Sequence, residues 1–138
     1  MRVVLIGASG LAMATVGEML EAGHEVVVVD KDKEVVEELD EKFDCSFYCG
    51  DGAKPSVLED VGPGNTDLLL CLSDDDTANV LAAVVAKSMD FSRVVLRLED
   101  TDLLSICDQL GLENVIVPDR RVARELLRFL DEGDEPPT

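Results

Sequence analysis

Positive charge is scarce in this chain: 12 lysines and arginines stand against 30 aspartates and glutamates in 138 residues, for a formal net charge of −18. A nucleic-acid grip needs clustered Lys and Arg, so no nucleic-acid partner is expected. Long apolar runs are also missing. None approaches the ~20 residues of a membrane span, so direct membrane insertion is not expected either. Met1-Arg2-Val3-Val4 leads straight into a strand pattern, with no small-residue cleavage site behind a secretory hydrophobic segment. A soluble, cytoplasmic chain is the expectation. The four cysteines lack metal-ligand spacing, and the single histidine, His24, is far from all of them in sequence. Cys45 and Cys49 sit in an extended stretch, roughly 13 Å apart at ~3.3 Å per residue, too far to bridge. Buried thiols in a reducing compartment are expected.

Hydrophobic residues make up 46% of the chain, enough for a well-filled core despite the charge. The length suits one domain, assigned to 1–130, followed by an acidic, proline-bearing tail or linker at 131–138. Self-repulsion at this charge should destabilise the compact state at low ionic strength. A salt-rich cytoplasm would screen it, which points to a halophilic source; an acidic partner-facing surface is the other reading.

Five nearly continuous apolar runs recur at 3–6, 26–29, 68–72, 94–98 and 115–117, with a weaker sixth at 45–48. Continuous rather than alternating runs are the mark of parallel strands covered on both faces. Helical patterns fall between and after them, at 10–22, 31–41, 55–61, 75–89, 101–110 and 119–130. Gly23, Gly62 and Gly111 stand where helices should stop, and Pro55 where one can start. This is a β-α alternation repeated six times. It predicts an α/β, doubly wound, parallel six-stranded sheet, Rossmann-like, in the order 3-2-1-4-5-6. The stretch 77–86, Thr-Ala-Asn-Val-Leu-Ala-Ala-Val-Val-Ala, is apolar around nearly its whole girth. Val80, Leu81, Val84 and Val85 span more than one face; a central core helix is one reading, and a homodimer or larger assembly with this helix near the interface is the other and the expectation adopted.

The first strand runs into Gly7-Ala8-Ser9-Gly10-Leu11-Ala12 and then a helix. In this position a tight turn brings backbone close to a pyrophosphate, and the helix N-terminus supplies N–H groups and positive potential. Asp30 ends the second strand. A carboxylate there can accept both ribose hydroxyls and would repel the extra phosphate of NADP; the alternative role is a helix N-cap. Read as G-x-G-x-x-G, the second and third glycines are Ser9 and Ala12. The Ser9 hydroxyl then either bonds a phosphate oxygen or marks a weak or decayed site. The Tyr-x-x-x-Lys pair of short-chain reductases is missing, since Tyr48 is followed at that spacing by Gly52.

An ordered set of motifs joins these pieces: Val-Val-Leu-Ile-Gly at 3–7, Glu-Ala-Gly-His-Glu-Val-Val-Val-Val-Asp at 21–30 and Gly-Asp-Gly at 50–52. It continues with Leu-Ser-Asp-Asp-Asp-Thr-Ala-Asn at 72–79, Arg97, and Val-Pro-Asp at 117–119. From Arg2 to about Leu130 the chain resembles the RCK, or KTN, N-terminal nucleotide-binding domain of potassium-channel and Trk/Ktr-type transport regulators. The resemblance implies a phosphate loop of Gly7, Ser9, Gly10 and Leu11, and an adenosine ribose held at Asp30 with Lys31 beside it. Asp51 and Gly52 would border the adenine, while Ser73, Asp74 and Arg97 would line the end of strands four and five. Each has a plainer reading: a turn carboxylate for Asp51, an acidic helix start for Asp74-Asp75-Asp76, and an acid partner for Arg97. Gly10 stands where some ATP-binding relatives carry an arginine. Asp119 stands where some carry a metal-binding glutamate, and a helix N-cap suits it better. No catalytic or metal-binding residue is implied.

The resulting expectation is a nonenzymatic, nucleotide-sensing regulatory subunit or domain that controls a membrane potassium transporter or channel. NAD(H) is the favoured ligand, with ADP or ATP next. It would be cytoplasmic, peripheral at the inner face of the plasma membrane through the transporter. The alternatives are the cofactor-binding or regulatory domain of a larger oxidoreductase or hydrolase, and a structural Rossmann module with a decayed site.

Overall fold

The computed structural model describes residues 1–132. Six strands form one sheet: β1 (Arg2–Ile6), β2 (Glu25–Asp30), β3 (Ser46–Cys49), β4 (Leu68–Cys71), β5 (Val94–Arg97) and β6 (Val115–Ile116). They are all parallel, in the order β3-β2-β1-β4-β5-β6. This is the predicted doubly wound topology. The strand order reverses between β1 and β4, where Ile6 pairs with Val29 on one side and Cys71 on the other.

The continuous apolar runs are explained by burial on both faces. Val3, Leu5, Val26, Val28, Leu70 and Leu72 pack with Ala12 and Val16 of helix α1 (Gly10–Glu21). Val4, Ile6, Val27, Val29, Leu69, Cys71 and Leu96 face the opposite layer. That layer holds α3 (Pro55–Val61), α4 (Asp76–Ser88) and α5 (Leu104–Gln109). Burying each such side chain contributes ~1.5–3 kcal/mol, and the central strands concentrate this term. Gly7, Gly23, Gly62 and Gly111 all have positive φ, and the last three lie just past the C-termini of α1, α3 and α5.

Element ends differ from expectation where a side chain decides the cap. Helix α2 (Lys33–Asp40) starts two residues late, because Asp32 accepts the amides of Glu34 and Val35 at 3.0 and 3.3 Å. The expected 101–110 helix is a 3₁₀ turn over Thr101–Leu103 followed by α5. Helix α6 (Pro118–Glu132) begins at Pro118, so Asp119 lies in its first turn rather than at its N-cap. α6 also runs past 130, taking in Asp131 and Glu132; the rest of the predicted tail lies outside the described residues.

The expected exposure of α4 is found only in part. Ala82, Ala83 and Ala86 are buried, and Val80, Val84 and Val85 are half-buried against the same core. Only Leu81 of the four residues is exposed, so α4 is mainly a core helix with small residues against the sheet. The uncovered stripe lies on α6 instead. Val122, Leu126, Leu127, Phe129 and Leu130 are all exposed, Leu130 to 84%. The cysteines also split. Cys71 and Cys107 are buried, Cys45 is half-buried and Cys49 is exposed. All four are free. Burial pushes the Cys71 thiol up to about 12.

Candidate functional site

A crevice opens at the carboxyl ends of β1, β2 and β3 and the start of α4, beside the point where strand order reverses. Gly7, Asp30, Lys31, Asp51, Gly52 and Ser73 of the expected set line it. In doubly wound folds this is where ligands gather.

The turn after β1 depends on Gly7. Its φ is +95°, and a Cβ there would come within 2.6 Å of the Ser73 backbone. Ser73 and the phosphate-loop position are therefore in direct contact. The next amide, Ala8 N–H, donates to Asp30 Oδ2 at 2.9 Å, while Asp30 Oδ1 accepts from Asp32 N–H at 2.9 Å. Asp30 is not a helix N-cap, because Asp32 takes that role. Each Asp30 oxygen holds one backbone amide and keeps acceptor capacity, which fixes the carboxylate without consuming it.

Ser9 does not present its hydroxyl to the crevice. It is 6% exposed, donates to the Leu72 carbonyl at 2.5 Å and accepts from Ala12 N–H at 3.1 Å. It caps α1 and ties that helix to the end of β4. The amides of Gly10 and Leu11, in the first helical turn, have no intrahelical acceptor. A Cβ at Gly10 would meet nothing within 4 Å, so the approach to this N-terminus is open.

Across the crevice, Asp51 Oδ1 accepts from Ala53 N–H at 2.9 Å, the turn role available to it. A side chain at Gly52 would overlap Ile6 Cγ2, so this loop can approach β1 only as glycine. Ile6, Val29, Gly50, Ala53, Ala78 and Ala82 complete the lining. None of them was expected as a site residue. Small and apolar side chains carry no chemical label in a sequence.

The organiser of the β4–β5 end was also missed. Asn79 is 1% exposed in the middle of an apolar helix face. Its Oδ1 accepts from Ser73 N–H and Oγ–H at 2.9 and 2.8 Å, and its Nδ2 donates to the Ser73 and Arg97 carbonyls at 2.9 and 3.1 Å. The signal was a single amide among alanines and valines, a group that must find partners once buried.

Asp74 and Arg97 stand outside the crevice lining and pair with each other at 2.9 Å. Arg97 also pairs with Glu99 at 2.5 Å and lies 3.4 Å from the Ser73 carbonyl. Its acid partners are thus within the chain, and its buried Nε has no acceptor. Asp75 caps α4 through Ala78 N–H, and Asp76 accepts the amides of Glu99 and Asp100. The acidic run is a helix start whose members each hold a neighbour in place.

The TrkA-N domain profile matches residues 3–118. The chain belongs to the TrkA-N domain family. A Trk system potassium uptake protein TrkA homolog of Methanothermobacter thermautotrophicus is 22% identical over 130 residues, covering 94% of this chain and 60% of that protein. One from Archaeoglobus fulgidus is 29% identical over 138 residues, covering 94% and 30%. This TrkA-N domain therefore spans about three-tenths to six-tenths of these relatives' length. Among solved structures, the NAD(P)-binding domain of an exopolyphosphatase-related protein from A. fulgidus matches with a TM-score of 0.85 at 19% identity, over 94% of this chain and 97% of that one. The GsuK channel bound to NAD matches with a TM-score of 0.81 at 15% identity, over 91% and 23%. At these identities the structures show the fold, a Rossmann-like sheet shared by proteins of different activity.

Proposed function

We propose that this TrkA-N domain is the nucleotide-sensing part of a cytoplasmic regulator of a membrane potassium transporter or channel. NAD(H) is the favoured ligand, with ADP or ATP next. The carrying observation is the Ala8–Asp30 pairing: one contact fixes a carboxylate at the end of β2, on the crevice, against the turn that leads into α1. Gly10 and Leu11 would hold a phosphate through backbone amides, and Asp30 would hold a ribose without room for a 2′-phosphate. These residues fit an adenine dinucleotide, and Asp30 is already fixed by its own chain. The role is regulatory rather than catalytic, with the Asp30, Asp51 and Ser73 side chains engaged in orienting backbone. The potassium link is supported by the relatives, which are Trk system potassium uptake proteins. NAD is bound in the similar GsuK channel.

A second copy of the chain is the proposed occupant of the exposed α6 stripe. An apolar groove of about 350 Å³ runs beside the start of α6, lined by Leu11, Met19, Leu72, Val95, Ile116 and Val122 among others. The first turns of α6 themselves line this groove, through Pro118, Arg121 and Val122. Charge favours a second copy. Residues 120–128 hold four arginines and one glutamate in a chain of net charge −18, a basic strip suited to another acidic body. Ligand binding would then act by shifting the populations of the assembly.

A thermal-shift panel of NAD, NADH, NADP, ADP, ATP and AMP tests the nucleotide reading. A ligand at a hundred times its Kd should add about 2.7 kcal/mol of stability. No shift with any of them contradicts the proposal. In cells, Asp30→Ala in the natural gene should alter potassium uptake at unchanged transporter abundance; unaltered uptake would break the link to transport.

A further inference from the structure

Asn79 lies behind the crevice wall rather than on it, yet both backbone groups of Ser73 are bonded to it. β4 ends at Cys71, and Leu72 N–H still donates to the Ile6 carbonyl at 2.9 Å. Ser73 is the first residue past that pairing. Its N–H donates to Asn79 Oδ1 at 2.9 Å, and its carbonyl accepts from Asn79 Nδ2 at 2.9 Å. Arg97 Nη1 reaches the same carbonyl only at 3.4 Å. The anchor is firm, because Asn79 is buried on α4 between helical backbone and the alanines that pack on the sheet. Ser73 in turn backs the turn after β1. A Cβ at Gly7 would fall 2.6–2.7 Å from Ser73 N, Cα and Cβ, so the two backbones touch. The next residue, Ala8, holds Asp30 through its N–H. A continuous path of contacts therefore runs from Asn79 through Ser73 and Gly7 to Ala8 and Asp30.

We infer that Asn79 is a positioning residue for the crevice: without touching a ligand, it sets ligand affinity by holding Ser73 against the turn at Gly7 and Ala8. The inference rests on the crevice being the nucleotide site proposed above. Removing the Asn79 amide leaves the Ser73 N–H and the Ser73 and Arg97 carbonyls short of partners in a largely dry setting. Buried polar groups without partners are costly, and these regain partners by moving toward water. Ser73 then leaves the Gly7 face for part of the time, and the turn that carries Ala8 loses its backing. A site that is competent for only a fraction of the time binds more weakly by that fraction, so one-tenth competence gives about a tenfold higher Kd. A core substitution far from this path lowers stability but leaves the crevice of the folded molecule unchanged. Affinity and stability thus separate the positioning role from a merely structural one.

Two measurements on the full chain read the two links. Amide correlation spectra of the ligand-free protein report the path itself, and isothermal titration with ADP and NAD, well below Tm, reports affinity. In Asn79→Ala the Ser73, Gly7 and Ala8 amide resonances should move or broaden, and ADP and NAD should each bind about tenfold more weakly. Asn79→Asp, nearly the same shape, keeps an acceptor for Ser73 N–H but turns an oxygen toward the Ser73 and Arg97 carbonyls; it should act in the same direction and serves if the alanine variant does not fold. Leu112→Ala is the control, a buried residue at the amino ends of β5 and β6. It should lose stability, leave the Gly7 and Ala8 resonances in place and bind both nucleotides within about twofold of the unaltered chain. If the unaltered chain binds and both Asn79 variants bind within about twofold of it, the inference is overturned and the nucleotide site stands. Gly7 and Ala8 resonances that ignore Asn79, or an equal affinity loss in Leu112→Ala, overturn it in the same way. Binding of neither nucleotide to the unaltered chain overturns both.

Discussion

Ser9 separates a structural serine from a phosphate ligand. Its hydroxyl caps α1 by accepting Ala12 N–H at 3.1 Å and donates to the Leu72 carbonyl at 2.5 Å. Ser9→Ala removes both. Loss of the cap costs about 1 kcal/mol, and leaving the Leu72 carbonyl unpaired in a buried setting costs about another 1 kcal/mol or more. The expected destabilisation is therefore about 2 kcal/mol. At this chain length that lowers Tm by about 6–8 °C. Urea unfolding gives the stability change, and titration with ADP under native conditions gives the ligand effect. Because the hydroxyl points at Leu72, affinity should change by less than about threefold, under 1 kcal/mol. A stability loss under about 0.5 kcal/mol together with a tenfold loss of affinity would refute this assignment and make Ser9 a ligand.

Other outcomes follow from the same geometry. Leu126→Glu, on the exposed stripe of α6, should convert a dimer to monomers in light scattering, whereas Leu81→Glu on α4 should not; the opposite pattern returns the interface to α4. Added KCl up to the molar range should raise Tm, because screening relieves repulsion in a chain of charge −18; a flat or falling Tm counts against that reading. Cys71 titrates at about 12 when folded and near 9 when unfolded, so the unfolded chain loses its proton first as pH rises. Its contribution to stability is complete below pH 9 and declines between about pH 9 and 12, a decline that Cys71→Ala should reduce in urea titrations. At pH 8 a thiol reagent should label Cys49 in the native protein and reach Cys71 only after unfolding; native labelling of Cys71 would contradict its burial.

The sheet was legible because its physics is local. A strand buried on both faces must be apolar throughout, and glycines mark where helices stop, so runs such as 26–29 and stops such as Gly23 need no tertiary knowledge. Side-chain direction was less legible. Ser9, read from spacing, falls where a pyrophosphate would pass, yet a nearby carbonyl, Leu72, draws its hydroxyl inward. Asp30 suits a helix N-cap by position, yet the φ/ψ of the turn gives that role to Asp32. The α4 stretch looked overexposed because alanines and valines score alike as apolar. The alanines pack closely on the sheet, the valines cover the rim, and the surplus apolar area sits on α6. Asn79 closes the 72–79 motif without a role that its spacing assigns, and its importance becomes visible only when Ser73 and Arg97 are seen to share it.

The central claim is that Asp30 and the α1 N-terminus form an adenine-nucleotide site that excludes a 2′-phosphate. Titration of the chain with NAD and NADP, alongside its Asp30→Ala variant, tests it most directly. NAD should bind at least about tenfold more tightly than NADP to the unaltered chain, a difference of about 1.4 kcal/mol. In Asp30→Ala, NAD affinity should fall and the discrimination should collapse. NADP binding as tightly as NAD, or an Asp30→Ala chain that still prefers NAD, would contradict the account.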